Sequence, residues 1–150
     1  MKEKSGKKEE KTCKKLTNQL TIKRRCRNIT AEIDKFIEVF EKEKPKVEIY
    51  VDLKNETEIS DLFMENRKKL FAVLTVVMNN RYDDIHYKME YPEWSLTAMK
   101  FGKKRVICKE FFFSDKKVVV VSVEKKQSSK NDKKLTQKYK TVGGYDYEFK

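Results

Sequence analysis

The chain has 150 residues, 40% of them charged and 38% apolar, with a formal net charge of +12. That length suits one domain with a modest core, and no run approaches the eighteen apolar residues that signal a membrane span. Cys13, Cys26 and Cys108 form no Cys-x-x-Cys or Cys/His spacing, so neither a disulfide framework nor a zinc site is indicated.

The charge is uneven. Residues 1–27 carry a net +8, residues 28–99 a net −5, residues 100–140 a net +10 and residues 141–150 a net −1. Two basic blocks around an acidic middle point to a polyanionic partner, most often nucleic acid, bound by phosphate neutralisation and counterion release. The N-terminus lacks the apolar run of a signal peptide, so the cytoplasm is the expected compartment.

Residues 1–15 have no apolar pattern that could offset ordering entropy, and residues 1–27 read as a basic arm, disordered or partly helical. Within it, Cys26 stands among Lys23, Arg24, Arg25 and Arg27, which would lower an exposed thiol's pKa. The rest, residues 28–150, reads as one α+β domain. Ile29, Ile33, Phe36, Ile37 and Phe40 repeat at helical spacing, so an N-terminal helix is expected within residues 28–46, capped by Thr30 and stopped by Pro45. From Val47 to Leu53 the alternation of apolar and polar residues predicts a half-buried strand. Ile59 to Met78 carry a long helical stripe, capped by Thr57, breaking near Glu65-Asn66 and stopping at Asn79-Asn80. Residues 81–93 read as a polar and aromatic loop containing the only histidine, His86. Three strands follow, Trp94–Phe101, Lys104–Phe113 and Lys117–Lys125, with links short enough to force an antiparallel meander. The valines Val118 to Val121 are apolar on both faces of a pleat and predict a strand covered on both sides. A basic helix to about Lys140 and a short alternating tail, residues 141–150, complete the chain. The expected fold is α+β: a small antiparallel sheet, made of the meander plus the N-terminal strand, with helices packed on one side.

Candidate chemistry gathers on the meander and the basic block after it. Arg105, Lys109, Lys125 and Lys126 flank the two inner strands. RNA phosphodiester cleavage needs a group to take the 2′-OH proton, one to protonate the leaving oxygen, and cations for the charge that builds on phosphate. Lysines and arginines with a tyrosine can supply these without metal or other cofactor. Tyr139, Tyr145 and Tyr87 are all candidates for the tyrosine. Lys100, Lys103, Lys104, Lys130, Lys133, Lys134 and Lys138 are candidate nucleic-acid contacts. A different reading takes Glu124-Lys125-Lys126 as the Glu-x-Lys of a metal-dependent nuclease, with Asp115 or Asp83 as the second acid. His86, beside Asp83 and Asp84, is a candidate acid–base group, or simply a loop histidine.

One pattern resembles a known family. An arginine opens a strand (Arg105-Val106-Ile107) and a hairpin leads into a hydrophobic strand (Lys117 to Val121). Lys125-Lys126-Gln127-Ser128-Ser129 and then Lys133-Lys134 follow. Together with the upstream strand VEIYVDL and its helices, this resembles the RelE/HigB-type toxins of bacterial type II toxin–antitoxin modules, over roughly residues 47–140. The resemblance implies a RelE-like core. It implies a metal-independent ribonuclease acting on mRNA at the ribosome, held inactive by a small antitoxin protein. It places phosphate binding on Arg105 and the family's double lysine on Lys125 and Lys126. The sequence departs from the family where Trp94-Ser95-Leu96-Thr97 replaces a Leu-Arg step, and where Val121 and Ser122 replace a histidine. Two other readings stand beside it: a non-catalytic RNA- or DNA-binding module with a basic arm, and a protein-interaction domain.

Overall fold

The computed structural model describes residues 22–37, 46–126 and 133–149, with only the backbone course given for 123–126 and 133–135. In chain order the elements are β1 (Ile22–Asn28), α1 (Thr30–Asp34), β2 (Lys46–Asp52), α2 (Glu56–Glu65), α3 (Arg67–Met78), β3 (Tyr87–Tyr91), β4 (Leu96–Phe101), β5 (Lys104–Phe112), β6 (Lys116–Lys126), α4 (Lys133–Gly143) and β7 (Tyr145–Glu148).

The seven strands form one mixed sheet in the order β3-β4-β5-β6-β2-β1-β7. β3 to β6 run antiparallel, β6 pairs with β2 in parallel, β2 with β1 antiparallel, and β1 with β7 in parallel. The sheet curls into a half-barrel. β1 bridges two of its strands, its C-terminal half pairing with β2 and its N-terminal half with β7. Phe149, just past β7, packs edge-on against Tyr50, Phe111 and Phe113.

This corrects the expected fold. The chain is α+β, but the sheet is not a small three-strand meander plus one strand with helices on one side. One face packs against α1, α2 and α3 through Ile33, Ile59, Leu74, Val77, Val106, Val119 and Val121. The other face is covered too. Tyr139 and Val142 of α4 pack on Leu96, Ala98 and Ile107, and Tyr147 of β7 packs near Val118 and Val120. The physical reason is the valine run itself, since a strand apolar on both sides needs both sides removed from water. β2 is likewise more than half-buried: Tyr50 and Asp52, on its expected solvent side, are buried.

Three local expectations also change. Residues 22–28 form a strand, neither disordered nor helical. The loop expected over 81–93 contains β3, an edge strand. α1 runs only from Thr30 to Asp34, and the rest of the expected helix from residue 38 lies outside the described residues. Thr30 does not cap it. Its hydroxyl serves β2 instead, accepting from the Ile49 amide at 3.0 Å, while Asn28 Oδ1 accepts from the Thr30 amide at 2.8 Å. The break between α2 and α3 falls at Asn66, and the helical stop at Asn79-Asn80, where Asn80 has φ 58°.

Candidate nucleic-acid interface

Strand register brings like charges together at one end of the sheet. Lys100 on β4 lies directly opposite Arg105 on β5, which lies opposite Lys125 on β6. One residue further out, Lys104 lies opposite Lys126. Directly opposed like charges destabilise a sheet. The hairpin joining β4 to β5 adds exposed Lys103, and turns on Gly102, whose φ of +68° favours glycine. A Cβ there would also stand 3.1 Å from Lys69 Nζ of α3.

The same end collects cations from the other half of the sheet. β2 runs parallel to β6, so Lys54, just past β2, emerges beside the end of β6. β1 is antiparallel to β2, with Cys26 opposite Asp52, so Lys23, Arg24 and Arg25 extend beyond that point. The rim crosses β4, β5, β6, β2 and β1, about 19 Å at ordinary strand spacing.

Glu90 of β3 meets Arg105 at 3.5 Å. The Lys100 ammonium donates to the Asp84 carbonyl at 2.9 Å. Its pKa is lowered by burial and then by Arg105 and Lys88, with Glu90 and Asp84 acting the other way. Tyr91 lies opposite Leu96, at the other end of β4 from Lys100, and its ring centroid is 5.6 Å from that of half-buried Trp94. The Tyr139 ring lies 5.0 Å from Tyr91. Its buried hydroxyl has no hydrogen-bond partner among the described residues, and burial raises its pKa.

The expected catalytic set is therefore only partly assembled. Arg105 and Lys125 share a row, Lys126 is one step away, and Tyr139 lies close enough to feel Arg105 and Glu90. Lys109 does not belong with them. Its ammonium donates to the carbonyls of Gly143 and Tyr145, at 2.9 and 2.8 Å, and so ties the C-terminal end of α4 to β5. Burial lowers its pKa. Tyr87 is also structural, being buried and hydrogen-bonded to Glu110 and Thr97. Among the candidate contacts, Lys100, Lys103 and Lys104 sit on the rim. Lys138 is half-buried on α4, Lys133 and Lys134 begin that helix, and Lys130 lies outside the described residues.

The metal-nuclease arrangement fails on distance. Asp115 precedes β6 and Glu124 stands near its far end, about 30 Å of extended chain away. Asp83 is committed locally. Its carboxylate meets the His86 ring at 3.0 Å and accepts from the amides of His86 and Tyr87. Against the opposing effect of burial, these bonds lower its pKa to about 2. Cys26 reverses its expectation: burial, then Asp52 and Glu148, push the thiol up to about 12.

Sequence reasoning missed Lys88, Glu90, Lys54 and the cations of β1. The first two were readable, since Tyr87, Met89 and Tyr91 alternate with Lys88 and Glu90 as in a strand. No protein-family model, curated protein or solved structure matches the chain.

Proposed function

We propose that the protein binds single-stranded RNA along this rim. The observation that carries the reading is the register of Lys100, Arg105 and Lys125, with Lys104 opposite Lys126. A sheet gains nothing from opposing its own cations, whereas an anionic strand laid across them neutralises the row and releases counterions. A flexible single strand can follow a row of cations across the end of a sheet.

The test is binding of a labelled RNA oligonucleotide across a salt series, for the wild type and for Lys100→Ala with Arg105→Ala. Losing two contacts is expected to weaken binding at least about tenfold and to flatten the log–log salt slope by about 1.4. Unchanged affinity, or a flat salt dependence in the wild type, sinks the reading. Equal binding of duplex DNA would remove the single-strand preference.

One observation favours a second reading, that of an endoribonuclease. Glu90, Arg105 and the unbonded phenol of Tyr139 lie together. Glu90 would take the 2′-OH proton as that oxygen attacks phosphorus, Arg105 and Lys100 would hold the phosphate, and the protonated tyrosine would give its proton to the 5′-oxygen as the P–O5′ bond breaks, leaving a 2′,3′-cyclic phosphate. A toxin-like role on mRNA at the ribosome, restrained by a small antitoxin, belongs to this reading. It predicts RNA cleavage in the presence of a chelator, lost in Glu90→Gln while binding persists. Intact RNA after prolonged incubation, with and without ribosomes, removes it.

A further inference from the structure

We infer that the cleft at the β1 end of the rim is a pocket for a terminal phosphate group. The cleft holds about 390 Å³ and is lined by Lys23, Arg24, Arg25, Leu53 and Lys54, four cations and no carboxylate. Its back wall is prepared. Arg24 Nε and Nη2 donate to the two oxygens of buried Asp52 at 2.7 and 3.0 Å. The guanidinium also lies over the Tyr145 ring, 4.2 Å from its centroid. A guanidinium has five N–H donors; Asp52 takes two, and among the described residues three remain for a ligand, already oriented.

Asp52 itself has no capacity left. Besides Arg24, it accepts from the Tyr147 hydroxyl at 2.6 Å and the Lys54 amide at 2.8 Å. Four donors fill its lone pairs, so it pins the arginine and cannot hold a cation. The occupant is therefore an anion. Its charge follows from what the walls leave over. Lys23 is paired with Asp146 at 2.8 Å and Arg24 with Asp52. Glu148 stands opposite Arg25 in register, yet Arg25 and Lys54 make no ion pair among the described residues. Two uncommitted cations match a phosphate monoester, which carries close to two negative charges near neutral pH. A phosphodiester inside a strand carries one. The fitting ligand is thus a phosphomonoester, either the end of an RNA strand or a free mononucleotide. For the first source, the inference rests on the RNA reading above.

The experiment compares one RNA sequence bearing a 5′-phosphate, a 3′-phosphate or hydroxyls at both ends, together with adenosine 5′-monophosphate. Each is titrated against the full chain and against Arg25→Ala with Lys54→Ala, two exposed residues outside the core. A terminal phosphate on at least one end is expected to tighten binding about tenfold, equivalent to about 1.4 kcal/mol. The double variant should erase the difference between phosphorylated and hydroxyl-ended RNA, over and above any affinity it loses equally for all three RNAs. If the mononucleotide binds as well as the phosphorylated RNA, and loses affinity in the variant, the free nucleotide is the ligand. Equal affinity for all three RNA ends, with no mononucleotide binding, overturns the pocket but leaves the RNA reading standing. If no RNA binds and the mononucleotide does so in an Arg25- and Lys54-dependent way, the RNA reading fails and the pocket stands.

Discussion

The two ends of the central sheet handle lysine in opposite ways. At the end where β6 begins, Lys46 and Lys116 also lie opposite each other, but Glu48 sits between them, 3.6 and 3.1 Å from their ammonium groups. Nearby, Lys117 is buried and its ammonium is 3.3 Å from Glu110, whose carboxylate also accepts from Tyr82 and Tyr87. Asn80 Oδ1 accepts from the same ammonium at 2.8 Å. There every buried charge has been answered within the chain. At the far end, Lys100, Arg105 and Lys125 stand opposite one another across three strands, and Glu90 lies 3.5 Å from Arg105. Charges answered in this way serve the fold; in the RNA reading proposed above, the row at the far end serves a partner outside it.

The contrast can be broken most severely at Lys117. Lys117→Met leaves Glu110 charged and buried with only its tyrosine donors, and should cost about 3–5 kcal/mol in urea unfolding. Adding Glu110→Gln should recover part of that loss, since the buried charge is then gone. A loss below about 1 kcal/mol for the single variant would mean the pair is not what holds this end. Gly102→Ala comes next. The substitution forces an L side chain to a φ of +68° in the rim hairpin and should cost about 1–2 kcal/mol. Lys100→Gln should do the reverse and stabilise the protein by about 0.2–1 kcal/mol, because it removes a directly opposed like charge. A destabilised Lys100→Gln would show that this lysine belongs to the fold.

The smallest effect sharpens the comparison through pH. Asp83 ionises near pH 2 in the folded chain, against an ordinary value of 3.8. The depressed carboxyl contributes stability that is complete above about pH 4 and is lost as pH falls through about 2. Asp83→Asn should therefore be less stable than the wild type at pH 5, and the gap should close by pH 2. A gap that persists in acid would assign the loss to packing instead.

Much of the fold was legible where pattern and environment agree. The α2–α3 stripe, its break at Asn66 and the meander from Leu96 to Lys126 follow from apolar period and turn residues. β1 was not legible, because the pattern hides its inward residues. Arg24 and Cys26 are the half-buried positions of IKRRCRN, and Arg24 turns inward only because Asp52, 28 residues on, receives it. Tyr50 and Asp52 misled for the same reason. They look like a solvent face until β7 arrives to cover them. For the site, Lys100, Lys103, Lys104, Arg105, Lys125 and Lys126 could be suspected from the sequence, but not their register. Lys109 could not be separated from them, because nothing local announces that its ammonium will hold the end of a helix 34 residues away.

The parallel pairing of β1 with β7 has a consequence for folding order. The Lys23–Asp146 contact spans 123 residues, and the Tyr147–Asp52 bond spans 95. Contacts of that reach form late, since loop closure must be met before they return anything. The sheet from β3 to β6, with its short hairpins, can assemble long before them. During synthesis Asp52 is made early but gains its tyrosine only when residue 147 has emerged. Until then a carboxylate destined for complete burial stays wet, and Arg24 is not held against the Tyr145 ring. The pinned arginine is thus a molecular record that synthesis has passed β7.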